Sequence, residues 1–163
     1  MKHLLPIFLF ASLLMVSCAS DPSADWKETN LIEYGVPLKI QAPDSIDVKV
    51  GTLGDMQDVT IKGPDGYSLQ VFGMNINTTQ LSTLVSEQRD LVQDEAYFKK
   101  FEEEWDEGFM YSTQLDSNQV SYDFRHLKVQ GDKQYVFQAG IYGSKSKEQV
   151  QRLINAVREK KDK

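Results

Sequence analysis

The residues able to do chemistry are few. Cys18 is the single cysteine of the 163-residue chain, and His126 is the only histidine apart from His3. A lone thiol cannot join an internal disulfide. A lone histidine can serve as a general base or a metal ligand. Asp123 and Arg125 lie close to His126 in sequence, but neighbouring strand residues point to opposite faces. No GxSxG nucleophile motif accompanies them. A hydrolase would need the fold to bring His126 beside an acid and a hydroxyl. On sequence alone His126 reads as an ordinary strand residue, and no catalytic residue is assigned.

Acidic residues gather in the middle of the chain, at Glu87, Asp90, Asp94, Glu95, Glu102, Glu103, Glu104, Asp106 and Glu107. A calcium site needs oxygens converging on one ion, as in an EF-hand loop. No DxDxDG pattern occurs, so these acids read as a solvated helix face, with no metal and no cofactor expected. Aromatic residues crowd the second half: Trp105, Phe109, Tyr111, Tyr122, Phe124, Tyr135, Phe137 and Tyr142. Most of them read as core. Tyr111, Tyr122 and Tyr142 are the candidates for a partner or ligand surface, because their hydroxyls need a partner. Asn77-Thr78-Thr79 matches a glycosylation sequon but reads better as a helix cap.

The formal net charge is −6. An acidic surface disfavours nucleic acid, whose phosphates require cations. The elements that must position the candidate residues fall after a leader. Lys2 gives a basic start, and Leu4 to Val16 is apolar apart from Ser12. That is the pattern of a secretory signal. The run is shorter than the roughly 20 residues a spanning helix needs.

The leader closes on Met15-Val16-Ser17-Cys18. This resembles the lipobox of bacterial lipoproteins, with Met15 standing where Leu is usual. The resemblance implies cleavage after Ser17, a diacylglycerol thioether on Cys18, and acylation of the new amino end. Two or three chains on one residue hold a protein to a membrane where a single chain holds only marginally. Ala19 after the cysteine implies sorting to the outer membrane. The expected organisation is a signal peptide over 1–17, the lipidated cysteine with a flexible tether over 18–30, and one globular domain over 31–163.

Within that domain, Val36, Leu38 and Ile40 alternate as in a half-buried strand, with Pro37 favouring an edge. Ile46, Val48 and Val50 alternate again, and Gly51 to Asp58 reads as a loop. Val59 to Lys62 and Tyr67 to Ile76 flank the turn Gly63-Pro64-Asp65-Gly66. The second of these is apolar on both faces and so reads as central. Asn77 with Gln80 forms the pattern of a capping box. Leu81, Leu84, Val85, Gln88, Leu91 and Val92 follow at helical spacing. Tyr97, Phe98, Phe101 and Trp105 predict a second helical stretch. Phe109 to Leu115 reads as a strand. Val120, Tyr122 and Phe124 alternate, then slip phase at Arg125-His126 into Leu127 and Val129, which predicts a bulge. Gly131-Asp132-Lys133 closes a hairpin into Tyr135, Phe137, Ala139 and Ile141. Ser146 with Gln149 is a second capping box, opening a helix with the stripe Val150, Leu153, Ile154 and Val157.

Strands joined by tight turns, with helices in two places, predict an α+β fold. Its centre is an antiparallel β-sheet flanked by helices, an α/β/α sandwich. The order resembles the PsbP and Mog1 fold through the early strand before Ala42-Pro43, the helical insert, the hairpin at Gly131 and the final helix. Members of that fold act mostly as accessory or interaction proteins. The expectation is therefore a lipid-anchored, non-enzymatic envelope protein that binds a protein partner. A carrier of a small apolar molecule or lipid is the alternative and predicts an apolar pocket between sheet and helix.

Overall fold

The computed structural model describes residues 23–114, 116, 119–141 and 143–158. Cys18, the lipobox-like residues before it and Tyr142 lie outside them. Seven strands form one antiparallel sheet: β3 (Asp47–Leu53), β4 (Met56–Lys62), β5 (Ser68–Asn75), β6 (Phe98–Trp105), β7 (Gly108–Gln114), β8 (Val120–Gln130) and β9 (Lys133–Ala139). Their spatial order is β3-β4-β5-β9-β8-β7-β6. Ahead of them, β1 (Lys27–Asn30) and β2 (Lys39–Ala42) make a separate two-stranded ribbon. Helix α1 (Leu81–Gln93) and helix α2 (Lys147–Val157) complete the α+β fold. No helix among the described residues is long and apolar enough to cross a membrane.

Alternation along the strands assigns the two faces. Tyr135, Phe137 and Ala139 of β9 join Leu69, Val71, Val59 and Ile61 in one core with Val150, Leu153, Ile154 and Val157 of α2. The intervening Val136 packs with Leu127 and with Leu84 of α1 on the other face. The helices therefore cover opposite faces. Strand β5 sits between β4 and β9, and is apolar on both sides as its sequence predicts.

The stretch from Tyr97 to Trp105 is a strand, not a helix. Register shifts in the β6–β7 pairing fall between Phe98 and Lys100 and between Phe101 and Glu103. A bulge adds a residue, so side chains three apart can share a face. Phe98 and Phe101 stack at 4.8 Å and both reach the α1 side, Phe101 edge-on to Phe109 at 5.2 Å. Bulged spacing thus imitates helical spacing. The acidic residues split accordingly: Glu87 and Asp90 on α1, Glu102 to Glu104 on β6. Arg89 of α1 pairs with Glu104, and Lys147 of α2 pairs with Glu103 at 3.4 Å, so both helices meet this strand from opposite sides.

Four further expectations are corrected. Gly51 to Asp58 is no loop: β3 and β4 pair through Leu53 and Met56 across a two-residue turn, with Gly54 at φ +62°. Strand β8 has no bulge at Arg125-His126, because its register with β7 and then β9 is continuous. The slip marks the place where the strand's apolar residues change face. Asn77 caps nothing. Helix α1 starts after Gln80, whose N–H donates to Thr78 Oγ1, and no side chain caps it. Finally, the tether ends sooner than Asn30. Trp26 packs edge-on against Tyr67 at 4.9 Å, and Lys27 to Asn30 pair with β2. The Ser146–Gln149 capping box of α2 is formed in both directions.

Candidate functional site

Tyr111 and Tyr122 both line a cavity of about 310 Å3 at one end of the sheet, with Glu95, Tyr97, Asp123 and Lys145. The cavity exists because β8 and β9 part company. Their pairing begins at His126 and Phe137, so the first half of β8 runs past the end of β9. Asp123 bridges the gap. Its Oδ1 accepts from the N–H of Ala139 at 2.9 Å and of Phe124 at 2.7 Å. Its Oδ2 accepts from Tyr111 Oη at 3.3 Å and from the Arg125 guanidinium at 3.2 Å. Arg125 also faces Glu95 at 3.7 Å and lies over the Tyr111 ring, 5.4 Å from its centroid.

Lys145 closes the far side. Its N–H donates to Ser121 Oγ at 3.0 Å, and its carbonyl accepts from the Tyr122 N–H at 3.1 Å. The side chain is only 9% exposed. Its ammonium donates to the carbonyls of Gly140, at 2.5 Å, and Gly143, at 3.4 Å. Burial holds the Lys145 pKa below the ordinary lysine value, with Asp123 pulling the other way. Burial likewise raises the Glu95 carboxyl against the attraction of Arg125. Burial also raises the Tyr111 hydroxyl, and the negative charge of Asp123 adds to the shift. For Arg125 burial acts downward, but Asp123, Tyr111 and Glu95 outweigh it and the pKa rises. A phenol, carboxylate and guanidinium so arranged hold one another in place.

Tyr111 therefore forms no surface. Its ring is 2% exposed, packed with Phe109 and Val92 beneath α1, and only its hydroxyl serves the cavity. Tyr122 is half-buried, with its ring against the α2-side core. The exposed apolar residues at this rim are Tyr97, at 58%, and Ile141, at 68%. The sequence reading missed the Asp123–Arg125 pair. Its signal was two-residue spacing on a strand, which puts both side chains on one face opposite His126.

His126 points away from that cluster. Its Nδ1 accepts from the Trp105 indole N–H at 3.3 Å, and the Trp105 and Phe137 rings flank it at 6.3 and 6.1 Å. The partner of Nδ1 is thus an indole N–H and not a carboxylate. Burial pushes the His126 pKa down to about 3, with Lys128 and Arg158 adding to the shift. The ring is neutral at pH 7. Among the described residues no three His, Cys, Asp or Glu side chains converge as a metal site would require.

The class defined by these features is an α+β protein built on a seven-stranded antiparallel sheet with one helix on each face. No protein-family model, curated protein or solved structure matches the chain.

Proposed function

We propose that this is a lipid-anchored, non-enzymatic accessory protein of the bacterial cell envelope, docking a protein partner through the end of the sheet nearest its tether. The Met15-Val16-Ser17-Cys18 lipobox supports the anchor, and Ala19 favours the outer membrane. The kinship of fold with PsbP and Mog1 belongs to the same reading, and it rests on the order of elements.

The observation that carries docking is the setting of Tyr97 and Ile141. Two large apolar side chains stand exposed on the rim of a cavity whose charged groups are held by one another and by backbone. Tyr is enriched among the few residues that carry most of an interface's binding energy, and such residues cluster at pockets. The tether enters at this end: Trp26 packs on Tyr67, and the next residue, Ser68, accepts from the Gly140 N–H at 2.9 Å. A partner held here would lie close to the membrane.

The test is photo-crosslinking in native membranes from a benzophenone side chain at position 141. One recurrent protein adduct, abolished by Tyr97→Asp, is the expected result. Diffuse labelling that Tyr97→Asp leaves unchanged rejects the docking surface. Release of Cys18→Ala from the membrane fraction is expected, and its retention there rejects the anchor. The carrier reading draws on a different place, at the opposite end of the sheet.

A further inference from the structure

At that opposite end a larger trough of about 820 Å3 opens, within the range of small-molecule sites. It forms because β8 outruns β7. Strand β7 stops at Gly108 opposite His126. The Leu127 N–H still reaches the Glu107 carbonyl at 2.8 Å. Lys128 to Gln130 then pair with β9 alone. The missing strand leaves a trough between the start of α1 and the end of α2. Leu38, Leu81 and Val129 give it apolar wall, and Glu107, Lys128 and Arg158 also line it.

His126 also lines this trough and is 3% exposed. The Trp105 indole nitrogen can only donate, so His126 Nδ1 is the acceptor and the imidazole proton sits on Nε2. That Nε2 is buried and has no hydrogen-bond partner among the described residues. A buried donor without an acceptor is rare in folded proteins and calls for an explanation. Arg158, at the end of α2, lies over the same indole, 5.2 Å from its ring.

We propose that the trough binds an amphipathic carboxylate of the fatty-acid class, its acyl chain along Leu38, Leu81 and Val129. The carboxylate accepts the Nε2–H of His126 and pairs with Arg158. To admit it, Arg158 shifts from the Trp105 ring toward the ligand. The unmatched donor, the Arg158 guanidinium and the apolar wall each select one part of such a molecule. The site is independent of the docking surface at the tether end.

Trp105 reports on this site directly, because the chain has only two tryptophans. The experiment uses the full chain carrying Trp26→Phe in nanodiscs, titrated with decanoate, its methyl ester and a lysophosphatidylcholine. Saturable one-to-one change of Trp105 emission with decanoate is expected, at least tenfold weaker for the ester. Arg158→Glu, at an exposed helix end, is expected to weaken decanoate at least tenfold while leaving the circular dichroism spectrum unchanged. A decanoate-induced shift of the His126 Nε2 proton resonance, assigned by its loss in His126→Phe, would place the carboxylate at the ring. Equal binding of acid and ester, binding indifferent to Arg158→Glu, or no saturable change would overturn the proposal. Saturation by the lysophospholipid but not by decanoate would also overturn it, leaving an acyl groove without carboxylate recognition.

Discussion

The Asp123 carboxylate accepts the N–H of Ala139 at 2.9 Å across the gap where β8 and β9 separate. A side chain here replaces a rung of the sheet, and its other oxygen holds Arg125, whose side chain is largely buried. Removing one partner of a buried pair strands the other charge. Asp123→Ala is therefore expected to cost about 3 kcal/mol of stability. Asp123→Asn keeps an acceptor for the two backbone N–H groups but turns an amide NH2 toward Tyr111 and Arg125, and is expected to cost less, about 2 kcal/mol. Urea denaturation of the two variants checks the order. Equal losses would mean that the bridge to Ala139 contributes nothing.

His126 makes a pH-dependent contribution whose sign follows from its depressed pKa. The unfolded ring titrates near its ordinary value of 6.5 and the folded ring at about 3. Between those values the unfolded chain binds the extra proton, so stability falls as pH falls, by up to about 1.4 kcal/mol per pH unit. The contribution is fully present above pH 6.5. His126→Phe keeps an aromatic ring beside Trp105 and Phe137 and removes the titration. Its stability should lose this part of the slope between pH 6.5 and 4.5, measured by denaturant midpoints. A variant with the wild-type slope would refute the assignment.

Gly108 has no room for a side chain. A Cβ there would overlap the Arg125 carbonyl oxygen on the neighbouring strand. Backbone cannot retreat as a flexible side chain can, so Gly108→Ala forces β7 from β8. A loss of about 1–3 kcal/mol is expected, as for other overpacked sites. Amide exchange should accelerate first in β6 and β7. Unchanged protection there would mean that the hairpin absorbs the methyl group.

The two sequence patterns for helix caps should respond differently. Ser146→Ala removes a formed capping box and is expected to cost about 1 kcal/mol. Asn77→Ala, outside α1, should change stability by no more than about 0.5 kcal/mol. Thermal melts of both variants decide it, and a similar loss at Asn77 would show a contact beyond the cap.

Much of the fold was readable from local chemistry alone. Period-two alternation marked β3, β5, β8 and β9. Turn residues placed the hairpins at Pro64-Asp65 and Gly131, where Asp65, Gly66 and Gly131 take positive φ. The stripe from Val150 to Val157 with its Ser146 cap marked α2. Each signal depends only on residues within one or two turns of chain. The resemblance of Met15-Val16-Ser17-Cys18 to a lipobox is likewise a matter of four adjacent residues.

Tertiary structure decided the rest, wherever pairing with a distant strand outweighs local spacing. Phe98, Phe101 and Trp105 carry helical spacing, but a bulged ladder against β7 gives them their partners. The slip at His126 resembled a defect until β8 was seen to pass from one strand neighbour to another. Tyr111 had the residue type of a surface and was buried by α1 and β6. The Asp123–Ala139 bridge and the trough at His126 both arise because β8 is longer than the strands beside it. Strand lengths compared across a sheet are a property of non-local pairing, and a single stretch of sequence does not contain them.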